Sequence, residues 1–201
     1  MYDWHAVVGT GATIGMVVLL VPYIRSILHD DTRPNPVSWF GWSLLYAIAA
    51  VAQASQGLDW SLAIPAIGAF SNSLVALVAL RTGKAAWTPI DRFSIATAIL
   101  AIVLWALTNE PLTALALSIV ADLAVSVPTL YKTYRHPSTE PWFLWILYVT
   151  FVALELIATT HLTIYNLLVP VYSFMVDALI MLFALRQLLP ARGAASRDSV
   201  R

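Results

Sequence analysis

Three carboxyl groups lie inside apolar stretches of this chain: Asp122, Glu155 and Asp177. An acid near the centre of a bilayer costs roughly 2.5–3.5 kcal/mol on insertion scales, so each needs a structural or functional reason. None of the eleven Lys and Arg residues falls at comparable depth to neutralise them. Such a carboxyl stays protonated, or carries charge only when water or a cation reaches it. That is the chemistry of proton relays and cation sites. If Asp122 and Asp177 face one another, they titrate as a coupled pair. The bland alternative is a protonated carboxyl making an interhelical hydrogen bond. For Glu155 it is a side chain that simply reaches the outer interface.

The elements that must position these acids are written in the composition. Of 201 residues, 60% are hydrophobic and 11% charged, whereas a soluble domain averages about 25% charged. Seven apolar stretches approach the ~20 residues that cross a bilayer: 6–24, 37–53, 62–80, 93–107, 112–131, 142–157 and 162–185. Asp122 falls about ten residues into the fifth, near mid-membrane at a rise of ~1.5 Å per residue. Asp177 is about eight residues from the inner end of the seventh, and Glu155 is near the outer end of the sixth. The first stretch lacks the basic n-region of a signal peptide and reads as a retained helix. The seven stretches leave no room among these residues for a separate soluble domain.

Positive charges set the expected topology. Arg25 and Arg33 lie between spans 1 and 2, and Arg81, Lys84 and Arg92 between 3 and 4. Lys132 and Arg135 lie between 5 and 6, and Arg186, Arg192, Arg197 and Arg201 follow span 7. All eleven thus fall on one face of a seven-span chain, and a wrong span count would scatter them. The positive-inside rule then puts the N-terminus outside and the C-terminus in the cytoplasm, in a plasma (inner) membrane. With no cysteine, disulfides and thiolate metal sites are excluded. The four histidines fit no metal motif, and no phosphate-binding glycine loop is present. The basic loops read as topology determinants, not as a nucleic-acid surface. No cofactor or metal is expected.

The chain reads as doubled. "WFGW" (39–42) recurs as "WFLW" (142–145) at an offset of 103. An offset of 106 places Pro22 on Pro128, and one of 105 places "PAIGAFSNSLVALVALR" (65–81) on "PVYSFMVDALIMLFALR" (170–186). There Asn72 sits opposite Asp177. Helices 1–3 therefore repeat as 5–7, with helix 4 as connector. An odd number of helices per repeat plus one connector makes the repeats parallel, related by an axis along the membrane normal. The expected divisions are 1–83 for the first repeat, 84–110 for the linker helix, 111–188 for the second repeat and 189–201 for a disordered cytoplasmic tail.

This layout resembles the SWEET/PQ-loop superfamily of sugar transporters, amino-acid exporters and KDEL-receptor relatives. The stretch most similar to it is "VPTLYKTYRHPSTEPWFLW" (127–145); "VPYIRSILHDDTRPNPVSWFGW" (21–42) is looser. The Gln of the family's PQ pair is replaced by Tyr23 and Thr129, and the Asn of both third helices is kept as Asn72 but becomes Asp177. The resemblance implies an all-α integral membrane fold of two parallel three-helix bundles joined by a linker helix. It also implies a central site lined by Asn72 and Asp177. The aromatics one turn inside helices 2 and 6, Trp42 and Trp145, are candidates to wall that site or gate it. Trp39 and Trp142 read as an aromatic belt. Pro22 and Pro128 each remove a backbone donor and are candidate hinges.

The expected function is movement of a small polar solute, sugar or amino-acid-like, by alternating access between the repeats. Asp177, Asp122 and Glu155 are candidates for coupling it to protons. Partners are the solute, the bilayer and protons, with a homo-oligomer open and no nucleic acid. A non-transporting sorting receptor on the same scaffold is the alternative. An enzyme is not expected: "VADLA" and "MVDAL" lack the GxGD context of intramembrane aspartyl proteases. A rhodopsin would need a lysine in helix 7, and 162–185 contains none.

Overall fold

A computed structural model describes residues 4–54, 63–82, 88–108, 111–160 and 162–189. Among these the chain forms seven α-helices and no strand: α1 (Trp4–Leu28), α2 (Pro36–Ala54), α3 (Ala63–Arg81), α4 (Pro89–Leu107), α5 (Pro111–Arg135), α6 (Trp142–Ala158) and α7 (Ile164–Leu185). Short 3-10 turns follow α5 and α7. Three helical stretches, Trp4–Leu28, Pro89–Leu107 and Leu167–Leu188, are long and apolar enough to cross a membrane. The apolar helical segments Pro36–Val51, Ala66–Arg81 and Trp142–Ala158 are shorter.

Polar turn chemistry starts and stops these helices. Asn35 Oδ1 accepts from the backbone N–H groups of Val37 and Ser38 at 2.9 and 3.2 Å, closing the first turn of α2. Thr88 and Asp91 form a reciprocal capping box, with Pro89 at the first helical position of α4. Helix α4, whose apolar stretch is expected to begin at Phe93, therefore begins at Pro89. After α1, Asp30 adopts a left-handed φ of 68°. The Asp31 N–H then reaches back to the Ser26 carbonyl at 2.9 Å, a glycine-like helix stop that Asp tolerates.

The helices close into a ring. Helix α3 packs between α1 and α2, and α7 packs between α5 and α6. The two sets meet through α1 on α6 and through α2 on α5, and α4 covers the α2–α5 seam. A glycine permits close approach at each seam. A Cβ on Gly15 would overlap the Phe151 ring, and one on Gly41 would overlap Val125. Outward faces are apolar: Val51, Phe70, Phe93 and Leu107 are 72%, 67%, 72% and 75% exposed. Ser38, Ser126, Thr129, Thr133 and Glu140 are buried. A soluble protein rarely shows so much exposed apolar surface.

The described Lys and Arg residues gather at one end of the bundle, called here the basic end. There the Arg33 N–H donates to the Thr139 carbonyl at 2.9 Å, and Arg186 Nη1 to the Tyr134 carbonyl at 3.0 Å. Asn35 Nδ2 donates to Asp91 Oδ1 at 2.9 Å, tying α2 to α4. Of the expected tail, residues 190–201 lie outside the described residues, as do Lys84 and His161.

Candidate solute site and its closure

Asp122 joins three helices, directly or through one hydroxyl. It sits mid-way along α5, one turn before Ser126. Ser126 Oγ donates to the Asp122 carbonyl at 2.8 Å and lies 3.4 Å from its Oδ2. Tyr172 of α7 donates its hydroxyl to the same Oδ2 at 2.8 Å. Trp42 of α2 donates Nε1–H to Ser126 Oγ at 3.2 Å. Three helices are thus pinned around one carboxyl, with a hydroxyl relay between Trp42 and Asp122.

Beside this cluster lies a cavity of about 260 Å³ bounded by α2, α4, α5 and α7. Trp42, Tyr46, Trp105, Asp122 and Tyr172 line it among mostly aliphatic neighbours. It sits at the α2–α5 seam, from mid-helix toward the end away from the basic residues. Asp177, five residues along α7 from Tyr172, feels the charge of Asp122. Tyr46 and Tyr148 lie within electrostatic reach of Asp177.

The other seam carries a second cavity, of about 670 Å³, between the start of α1 and the end of α6. Glu155 lines it, with Oε1 3.2 Å from Thr13 Oγ1. The same hydroxyl lies 3.0 Å from the Gly9 carbonyl and shares its one proton between the two. Each seam therefore holds one acid and one cavity.

At the basic end the space closes around Glu140, which is 1% exposed. Its Oε2 accepts from Tyr23 Oη at 2.9 Å and from Trp145 Nε1 at 3.0 Å. Lys132 makes an ion pair with its Oε1 and also donates to the Arg33 carbonyl. Tyr23 belongs to α1, Lys132 to α5 and Trp145 to α6, so one carboxylate ties the first three-helix set to the second. Tyr23 is itself fully buried, with its ring 5.0 Å from that of Trp39.

The candidates from sequence are thus distributed over separate places. Asp122 and Trp42 share the smaller cavity. Asp177 lies within electrostatic range of Asp122 without lining the cavity. Asn72 is half-buried and donates to the Gly68 carbonyl of its own helix at 2.8 Å, away from the cavity lining. Trp145 is buried against Val176 and Ile180 and serves the closed end. Pro22 and Pro128 both stand inside unbroken helices, α1 and α5, a turn or two before their basic ends. Trp39, expected in an aromatic belt, is packed among Leu19, Tyr23 and Ile27, because α1 extends past its apolar stretch and covers it.

Glu140, Tyr172, Tyr46 and Trp105 were not singled out by sequence. Glu140 carried a signal: an acid in a basic loop, eight residues after Lys132. The aromatics carried none, since their role depends on which helices meet. Comparison of the chain with family profiles, with curated proteins and with solved structures finds no match.

Proposed function

We propose that the chain is an integral membrane transporter that moves a small polar solute by alternating access between two three-helix units. It crosses the membrane seven times, with the N-terminus outside and the basic end in the cytoplasm. The helix order supports the doubling read from sequence, since the third member lies between the first two in both sets. The apolar outer faces and the gathering of basic residues at one end support the topology. On this reading the fold is that of the SWEET/PQ-loop superfamily.

The observation that carries the transport reading is a difference between the two ends of the bundle. Both seams between the units hold acid-bearing cavities, lined from mid-helix toward the end away from the basic residues, whereas the basic end is tied across the units by Glu140. A site tied shut on one side and hollow toward the other is what one half of an alternating cycle requires. Rocking the units about the seams would break the Glu140 contacts and close the opposite end. Pro22 and Pro128, at matching places in α1 and α5, are the proposed hinges. Asp177 and Asp122 are the proposed proton sites, because hydration of their surroundings would change with each half-cycle.

The test is flux in liposomes holding the purified protein, against a panel of sugars, amino acids and amines with internal pH recorded. Saturable, protein-dependent uptake of one solute class is expected. Binding of a solute without any flux would favour the receptor alternative.

A further inference from the structure

We infer that the cavity between α2, α4, α5 and α7 takes a small organic cation, an amine or quaternary ammonium group, as its solute. This rests on the reading of that cavity as the solute site and names the substrate class. Three features of the cavity point the same way. The first is charge. Asp122 is the one acidic residue of the lining, and no Lys, Arg or His lines the space. Asp177 adds a second carboxyl within electrostatic range. An anion would be repelled here, and a neutral solute would leave the carboxylate without a counter-charge.

The second feature is the wall. Trp42 and Tyr46 from α2, Trp105 from α4 and Tyr172 from α7 bring aromatic rings to the cavity from three helices. Ring faces attract cations, most strongly where water is excluded, and aromatic cages are a recurring solution for quaternary ammonium groups. Most of the remaining wall is aliphatic. A sugar would bring several hydroxyls that must compete for the few polar groups of this wall, such as Ser118 and Ser173, and an unpaired buried hydroxyl is costly. A quaternary ammonium asks for no hydrogen bond.

The third feature is the state of Asp122. Tyr172 donates to its Oδ2 and Ser126 Oγ lies beside the same atom. Those contacts leave Oδ1 uncontacted by either hydroxyl, so one oxygen of the carboxyl remains for a cation to meet. The volume, about 260 Å³, falls just below the ~300–1,000 Å³ of drug-sized sites and sets the ligand small.

The experiment titrates the purified, detergent-solubilised full chain with choline and with tetramethylammonium. Tryptophan fluorescence and calorimetry are the readouts. The neutral controls are 3,3-dimethylbutan-1-ol, the uncharged isostere of choline, and glucose. Saturable choline binding is expected, with the isostere weaker by at least about tenfold. Asp122→Asn should weaken choline by a similar factor and leave the isostere unchanged. Trp105→Leu should weaken choline, and Trp105→Phe should restore most of its affinity. The inference is overturned if the isostere or glucose binds as tightly as choline, if choline does not bind folded protein, or if folded Asp122→Asn binds choline normally. Should Asp122→Asn not fold, the choline-to-isostere ratio and the Trp105 pair decide alone. Flux in liposomes separates the two layers. Glucose flux without choline binding ends the cation site and leaves a transporter. Choline binding without flux leaves the cation site and ends the transporter.

Discussion

Tyr23→Phe isolates one bond of the tie at the basic end. Tyr23 is fully buried, and phenylalanine keeps its ring against Trp39 while deleting the hydroxyl that donates to Glu140 Oε2 at 2.9 Å. Glu140 retains Trp145 and Lys132, so its carboxylate is not left unpaired. A hydrogen bond to a charged group contributes about 1.5–3 kcal/mol. If it exists only while the basic end is closed, its loss shifts the closed-to-open ratio by roughly 10- to 100-fold. The assay uses the absence of native cysteine. Ser38→Cys reports the basic end, because Ser38 is 0% exposed in the closed arrangement. Thr10→Cys reports the opposite end, where Thr10 lines the open α1–α6 cavity. In detergent-solubilised protein, adding Tyr23→Phe should speed thiol labelling at position 38 by roughly 10- to 100-fold and slow it at position 10. The reciprocal change is the diagnostic part. Unchanged labelling at 38, or faster labelling at both positions, would refute the gate and leave Tyr23–Glu140 as a plain packing contact.

Three further outcomes follow from the same geometry. Gly41→Ala forces a methyl into Val125 across the α2–α5 seam and should destabilise the protein by about 1–3 kcal/mol, read as a lower Tm in detergent. Adding Val125→Ala should recover much of that loss, and wild-type stability of Gly41→Ala alone would count against the seam. For topology, Thr160→Cys in intact cells should react with an impermeant thiol reagent while Ser138→Cys stays protected; the reverse pattern would invert the orientation. For proton coupling, Asp177→Asn should abolish any dependence of liposome flux on an imposed pH gradient while sparing exchange, with Asp122→Asn weakening it less. Wild-type flux indifferent to the gradient would remove protons from the mechanism.

How much of this was legible in the sequence varies by element and for physical reasons. Helix existence was readable because each segment is continuously apolar. Helix ends were not: α1 runs to Leu28 and α5 to Arg135, beyond the apolar stretches, since backbone hydrogen bonding continues where hydropathy stops. Nor was the start of α4 found, though Thr-Pro-Ile-Asp at 88–91 spells its capping box. The search for acids within apolar spans found Asp122, which does line a cavity. It passed over Glu140, because a loop acid looks solvated until the fold buries it under Tyr23 and Trp145. Matching the repeats proposed Asn72 as the mate of Asp177. Sequence register fixes which residues correspond but not which way each side chain turns, and Asn72 turns to its own helix. The paired tryptophans diverge for the same reason. Trp42 reaches Ser126 beside the cavity, and Trp145 reaches Glu140 at the closed end.

The central claim is alternating access, and counterflow tests it most directly. Liposomes holding the purified protein are loaded with an excess of unlabelled solute, with choline, glucose and lysine run in parallel, and tracer of the same solute is added outside. The account predicts that tracer of one solute accumulates transiently above equilibrium, and that Tyr23→Phe alters the rate of that accumulation. Tracer that never exceeds equilibrium for any of the three, while protein-dependent leak of all three is seen, would contradict a carrier and describe a pore.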